Sequence, residues 1–290
     1  MNLEITGAIG QRFGDLTASR LISAPLTVWV GGTGANFATA AVPRFAKVRL
    51  LGAVGADRPG AMIESSLRAL GIDARLYRCP ERPTGTVVTL REGGADGGAR
   101  LMVASPLSAN DSLSRAKLEQ NADCLDDVHL LVVDGYGLLH EPRRTAVLAA
   151  MARARAAGAQ VMLDLVPHHL DQLISRQELH VWLTHVSIIV TEVVTVRALL
   201  NLQPSKESAN IHDATETAKH LERNFPGRAF LLRFGAHNID ESLVWRSSQK
   251  VHRYTGFTQT AVAHGFGDRL TVEEVSRYFT DCWLRHSCEP

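Results

Sequence analysis

Residues 265–268, Gly-Phe-Gly-Asp, stand where the chain passes from "AVAH" into the helix-forming run "RLTVEE". Glycines beside one aromatic residue let successive amide N–H groups point into one concavity, and at a helix N-terminus the dipole favours an anion there. The amides concerned would be those of Gly265, Phe266 and Gly267, and Asp268 would stand on the rim. Its carboxylate could take the proton of a hydroxyl attacking a phosphoryl group held by the amides, the rest of the barrier falling through positioning and charge neutralisation. The same residues also read as a glycine turn with Asp268 as helix cap, and so short a motif does not separate the two.

Other chemistry-bearing residues are fewer. Asp164 lies at the end of an apolar run, where α/β sheets keep ligand groups. His168 and His169 follow it, but a metal site needs further ligands that the sequence does not locate, so they read as a solvated pair. Cys79, Cys124, Cys282 and Cys288 form no CxxC pair, which suggests neither zinc nor disulfides and fits a reducing cytoplasm. No G-x-x-x-x-G-K-[ST], G-x-S-x-G or H-E-x-x-H is present, and "GGTGAN" lacks the complete dinucleotide-binding spacing. With 31 Lys and Arg against 30 Asp and Glu and no basic block, nucleic acid is not expected as a partner. Nor is a membrane: the first residues lack a basic-then-apolar export pattern, and no apolar run approaches the ~18 residues of a span.

The elements that must position these groups follow an α/β rhythm. "KVRLLGAVG" (47–55), "VHLLVVDGY" (128–136), "QVMLDLVP" (160–167), "VSIIVTE" (186–192) and "RAFLLRFG" (228–235) read as strands, their unbroken apolar character that of strands covered on both faces. Helices are predicted over 60–72, closed by Gly71, over 141–159, closed by Gly158, and over 270–286. Residues 3–30 and the hairpin 84–105 read as antiparallel strands forming a small sheet over the main one, with 200–213 an exposed loop. The expected architecture is one domain over 1–290: a three-layer α/β/α core with a mostly parallel sheet, and a β-sheet lid.

Residues 30–72 resemble the first signature of the ribokinase-like sugar kinases, the PfkB family: Gly31, Gly32, Asn36 and Ala38, then Gly52, Gly55, Asp57 and Gly60 stand in order and at family spacing. "RPTGTVVTL" and "RLMVASPLSAN" are similar to its next hairpin, and "GFGD" to the end of its second signature, D-T-x-G-A-G-D. The resemblance spans nearly the whole chain. It implies an ATP- and Mg²⁺-dependent kinase acting on a hydroxyl of a sugar, nucleoside or related small molecule, with Asp268 as base and a Gly265–Gly267 anion hole. It also implies acceptor contacts from Gly31, Gly32, Asn36, Arg100 and Asn110, a nucleotide bordered by Asp164, Glu192, Arg233 and Gly235, and a homodimer through the lid sheet.

The chain departs from the family pattern in five places. Val262 replaces the first Asp of the second signature, and Thr191 and Val194 replace the Asn and Glu of an N-x-x-E. Arg12 falls where an acceptor-binding Asp is usual, with Asp15 nearby; a guanidinium there would suit an anionic acceptor. Asn238 replaces the second glycine of a Gly-x-x-Gly turn, and one helix follows Asp268 where the family has two. These changes leave open a second reading, a catalytically weak relative that binds a ligand and regulates.

Overall fold

The computed structural model describes residues 1–16, 21–93, 99–166, 170–202, 209–235, 241–247, 250–255 and 265–284. The chain divides into two compact units, Met1–Leu113 and Ser114–Pro290.

The first unit contains β1 (Asn2–Ala8), β2 (Leu26–Gly31), α1 (Thr33–Ala41), β3 (Arg49–Gly55), α2 (Arg58–Ala69), β4 (Asp73–Cys79), β5 (Gly85–Arg91) and β6 (Arg100–Ala104). The two regions read as antiparallel strands join in one sheet of order β2-β1-β5-β6, where β1 runs antiparallel to β2 and parallel to β5. β3 and β4 pair in parallel, and α1 and α2 enclose a small core with Val54, Ile63, Leu67 and Ile72. α2 begins at Arg58 because Asp57 caps it, accepting from Gly60 N at 2.9 Å. The same carboxylate accepts from Thr84 N at 2.8 Å and Thr84 Oγ1 at 2.5 Å, so one family-signature residue ties the end of β3, the start of α2 and the approach to β5 together.

The second unit runs α3 (Arg115–Glu119), β7 (Leu130–Asp134), α4 (Arg143–Ala156), β8 (Gln160–Asp164), α5 (Leu170–Leu173), α6 (Arg176–Trp182), β9 (Ile188–Glu192), α7 (Val193–Leu199), α8 (Ile211–Asn224), β10 (Ala229–Phe234), β11 (Glu241–Arg246), β12 (Lys250–Thr255) and α9 (Phe266–Leu284). Its sheet has the order β12-β11-β10-β9-β8-β7. β7 to β10 are parallel, and β11 and β12 are antiparallel additions. Every residue of β10 is buried, Arg233 included, which is why its sequence shows no alternation. α4 stops at Gly158, whose φ of +89° glycine adopts freely. Part of the expected 200–213 loop is instead a helix start: Asn210 and Asp213 form a capping box on α8, while 203–208 lie outside the described residues. Among the described residues, no helix is long and apolar enough to cross a membrane.

Candidate active site

The C-terminal ends of the parallel strands bring charged side chains into a row. Asp134 on β7 lies opposite Asp164 on β8, and Glu192 on β9 lies opposite Arg233 on β10. Asp134 is occupied as a local cap, accepting from Gly137 N at 3.0 Å. Asp164 and Arg233 are 1% and 4% exposed, and Arg233 Nη2 donates to Asp164 Oδ1 at 3.3 Å. Arg233 Nη1 donates to the Gly267 carbonyl at 3.1 Å and to Thr271 Oγ1 at 2.6 Å, reaching the first turn of α9. The Thr271 hydroxyl stands 3.2 Å from Asp164 Oδ2 and 3.0 Å from the Gly267 carbonyl, and donates to one of them at a time.

α9 starts at Phe266, with Arg269 N–H donating to the Gly265 carbonyl at 3.0 Å. The amides of Phe266, Gly267 and Asp268 therefore precede the first intrahelical hydrogen bond, the arrangement that binds anions. Gly265, at φ +64°, is the turn residue that makes this start possible. Asp268 lies inside the first turn, not at the cap, so the plain helix-cap reading of "GFGD" is corrected: the cap position belongs to Gly265. Asp268 is half-buried.

The electrostatics follow from burial. Desolvation opposes the Arg233 charge, but Asp164, Glu274, Glu192 and Asp268 outweigh it and raise its pKa. Burial pushes the Asp164 carboxyl up, while Arg233 and the Thr271 hydroxyl pull it back and Asp134 and Glu192 add to the rise. Glu274, one turn beyond Thr271 and 1% exposed, is bonded to Ser242 Oγ, and its carboxyl is pushed up to about 8 by burial, against the pull of Arg233.

Asp164 and Arg233, expected beside the nucleotide, bond to each other and to α9. Glu192 is half-buried, and Gly235, at φ +134°, follows β10 directly. Val194 is 50% exposed on α7 and offers no carboxylate, and Thr191 is fully buried. Asn238, Val262, His168 and His169 lie outside the described residues.

In the first unit, glycines admit polar side chains to one corner of the sheet. Glu4 Oε1 accepts from Gly32 N at 2.8 Å, and a Cβ on Gly31 would meet Glu4 Cδ at 2.2 Å. Asn110 Nδ2 donates to Asn2 Oδ1 at 2.7 Å, and a Cβ on Gly85 would stand 2.3 Å from that oxygen. Gly31, Gly32 and Asn110 therefore come together with Asn2 and Glu4, which sequence reasoning missed, while Asn36 starts one turn into α1 from Gly32. Arg12, Asp15 and Arg100 do not join them. β1 pairs Asn2 with Gly31 and runs away from the glycines for six residues, about 20 Å at strand spacing, before the Arg12 turn begins. Arg100 sits at that far end, opposite Arg91.

Comparison with known proteins bears on both units. The profile of the pfkB family carbohydrate kinases matches residues 24–253. A 5-dehydro-2-deoxygluconokinase of Shouchella clausii is 28% identical over 251 residues, which cover 83% of this chain and 71% of that one. Among solved structures, ribokinase from Giardia lamblia superposes with a TM-score of 0.74 at 18% identity, covering 97% of this chain and 81% of that one. The ribokinase of Arabidopsis thaliana solved with ribose and ATP gives 0.72 at 17% identity, over 96% and 83%. The fold is the ribokinase-like α/β/α fold with a mostly parallel sheet.

Proposed function

Because the chain belongs to the pfkB family of carbohydrate kinases, we propose that it transfers the γ-phosphoryl group of Mg·ATP to a hydroxyl of a sugar acid of the 5-dehydro-2-deoxygluconate type. The family makes it an ATP-dependent phosphotransferase. The acceptor class is our reading, supported by the substrate that the name of its Shouchella clausii relative states.

The observation that carries the chemistry is Asp268 in the first turn of α9, directly after the positive-φ Gly265. The acceptor oxygen attacks the γ-phosphorus, the bond to the β–γ bridging oxygen breaks, ADP leaves, and the hydroxyl proton passes to Asp268. The amides of Phe266, Gly267 and Asp268 meet the charge on the transferring group. In the first unit, Gly31, Gly32, Asn36 and Asn110 are the residues that the family resemblance assigns to the acceptor, and in the second, Gly235 and Glu192 border the nucleotide. Mg²⁺ would come with the nucleotide, held chiefly by phosphate oxygens and water.

The lid sheet gives a physical reason for the homodimer. Val28, Ile5, Val88 and Val103 form one apolar row across its four strands, with Leu26 and Leu101 in the next row, and the four on the outer strands are 47–61% exposed. A second copy presenting the same face covers both by two-fold symmetry. We place the protein in the cytoplasm, where the buried Cys79 and Cys124, neither in a disulfide, stay reduced.

The test is ADP release with Mg·ATP against sugars, sugar acids, sugar phosphates and nucleosides, with Asp268→Asn in parallel. Turnover with a sugar acid, reduced about 100- to 10,000-fold in the variant, is expected. No turnover with any acceptor, while a sugar acid alone raises the melting temperature, would replace this reading with a ligand-binding regulator.

A further inference from the structure

We propose that Arg233 is a positioning residue for phosphoryl transfer, fixing the direction of the Gly267–Asp268 peptide and with it both an anion-hole amide and the base. The proposal rests on the kinase reading above. Arg233 touches neither nucleotide nor acceptor in it; it acts through α9.

The geometry supplies the argument. The Gly267 carbonyl and the Asp268 N–H belong to one planar trans peptide, so they point in opposite directions. Arg233 Nη1 holds that carbonyl at 3.1 Å, which directs the amide away from the guanidinium and toward the N-terminal end of α9, where an anion binds. The Asp268 side chain hangs from the same peptide. The second contact of Nη1, with Thr271 Oγ1 at 2.6 Å, pins the following turn, and Asp164 holds Nη2 at 3.3 Å, so the fork is anchored from β8 while it grips α9. Only a planar, multi-donor group spans these positions, and an ammonium does not. The buried positive charge also adds to the helix dipole beneath the amides.

Stability alone accounts poorly for this network. A buried ion pair is commonly matched by apolar residues of similar volume, because taking two charges out of water offsets their attraction. Here the arrangement leaves Arg233 Nε and Glu274 Oε2 buried with no hydrogen-bond partner among the described residues, an imperfect solution for a core. What the pair supplies, and an apolar substitute would not, is a donor aimed at the carbonyl behind the base.

The test compares the wild type with Arg233→Lys and with the doubly substituted Arg233→Met/Asp164→Leu, which removes both charges and avoids stranding Asp164. Each is assayed with Mg·ATP and whichever acceptor the panel identifies, and its melting temperature is recorded. A misplaced peptide should lower kcat on the order of 100-fold while both KM values stay within about threefold, in variants that still melt cooperatively. Thr271→Val, which keeps the ion pair and loses one anchor of the turn, should give a smaller loss of kcat. If the folded variants keep wild-type kcat, or lose only substrate affinity, Arg233 has no positioning role and the kinase reading stands. Absence of turnover in the wild type removes the kinase reading and this proposal with it.

Discussion

At the scale of single residues, the most consequential group outside the reacting set is Glu274. Its carboxyl is pushed up to about 8 by burial, above the ordinary glutamate value of 4.5 that holds in the unfolded chain. The folded state therefore binds more protons than the unfolded one between these values. The contribution to stability is fully present below about pH 4.5 and is lost as pH rises through about 8, an effect on the order of a few kcal/mol. Denaturant melts at pH 6 and pH 8.5 should show the wild type losing stability at the higher pH, and Glu274→Gln, neutral throughout, should lose much less. An identical pH response in the two proteins would contradict the assignment. Some of this network was open to sequence reasoning: Thr271 is four residues from Gly267 and so shares a helix face with it, as Glu274 does with Thr271. What concealed it was the helix start. The predicted helix began at residue 270, because Gly265 begins α9 through its backbone and not through the side-chain cap that sequence reading looks for.

At the scale of elements, the central strands were legible because β8, β9 and β10 are buried on both faces and leave unbroken apolar runs. The lid strands were also legible as strands, one pair of them from the glycine-rich sequence that separates 84–91 from 100–105. Their register was not, since nothing local to "MNLEITGA" says which end of β1 meets the glycines of β2. The pairing of Asn2 with Gly31 decides it, and Arg12 and Asp15 fall at the far end as a result. Asp57 shows how an element boundary and a motif can share one residue. Asp57→Ala removes the cap of α2 and both bonds to Thr84, and should cost about 1–2 kcal/mol by equilibrium unfolding. Asp57→Asn, which keeps a capping oxygen, should recover part of the loss. Equal losses in the two variants would mean that capping is not the source of the effect.

At the scale of the whole molecule, the apolar rows of the lid sheet are the basis of the proposed dimer. Val28→Glu places a charge at the centre of that face, and sedimentation should shift from dimer to monomer while the variant stays folded; an unchanged dimer would move the interface elsewhere. The chain's charge of +1 leaves little long-range repulsion to oppose such pairing. The Arg233 network has a consequence for biosynthesis as well. Asp164 and Arg233 are 69 residues apart, and Gly267 follows Arg233 by another 34, so the guanidinium leaves the ribosome well before the carbonyl that it is built to hold. A chain stopped ahead of Gly265 lacks both Gly267 and Thr271, and of the side chains and carbonyls that Arg233 grips in the full protein it retains only Asp164.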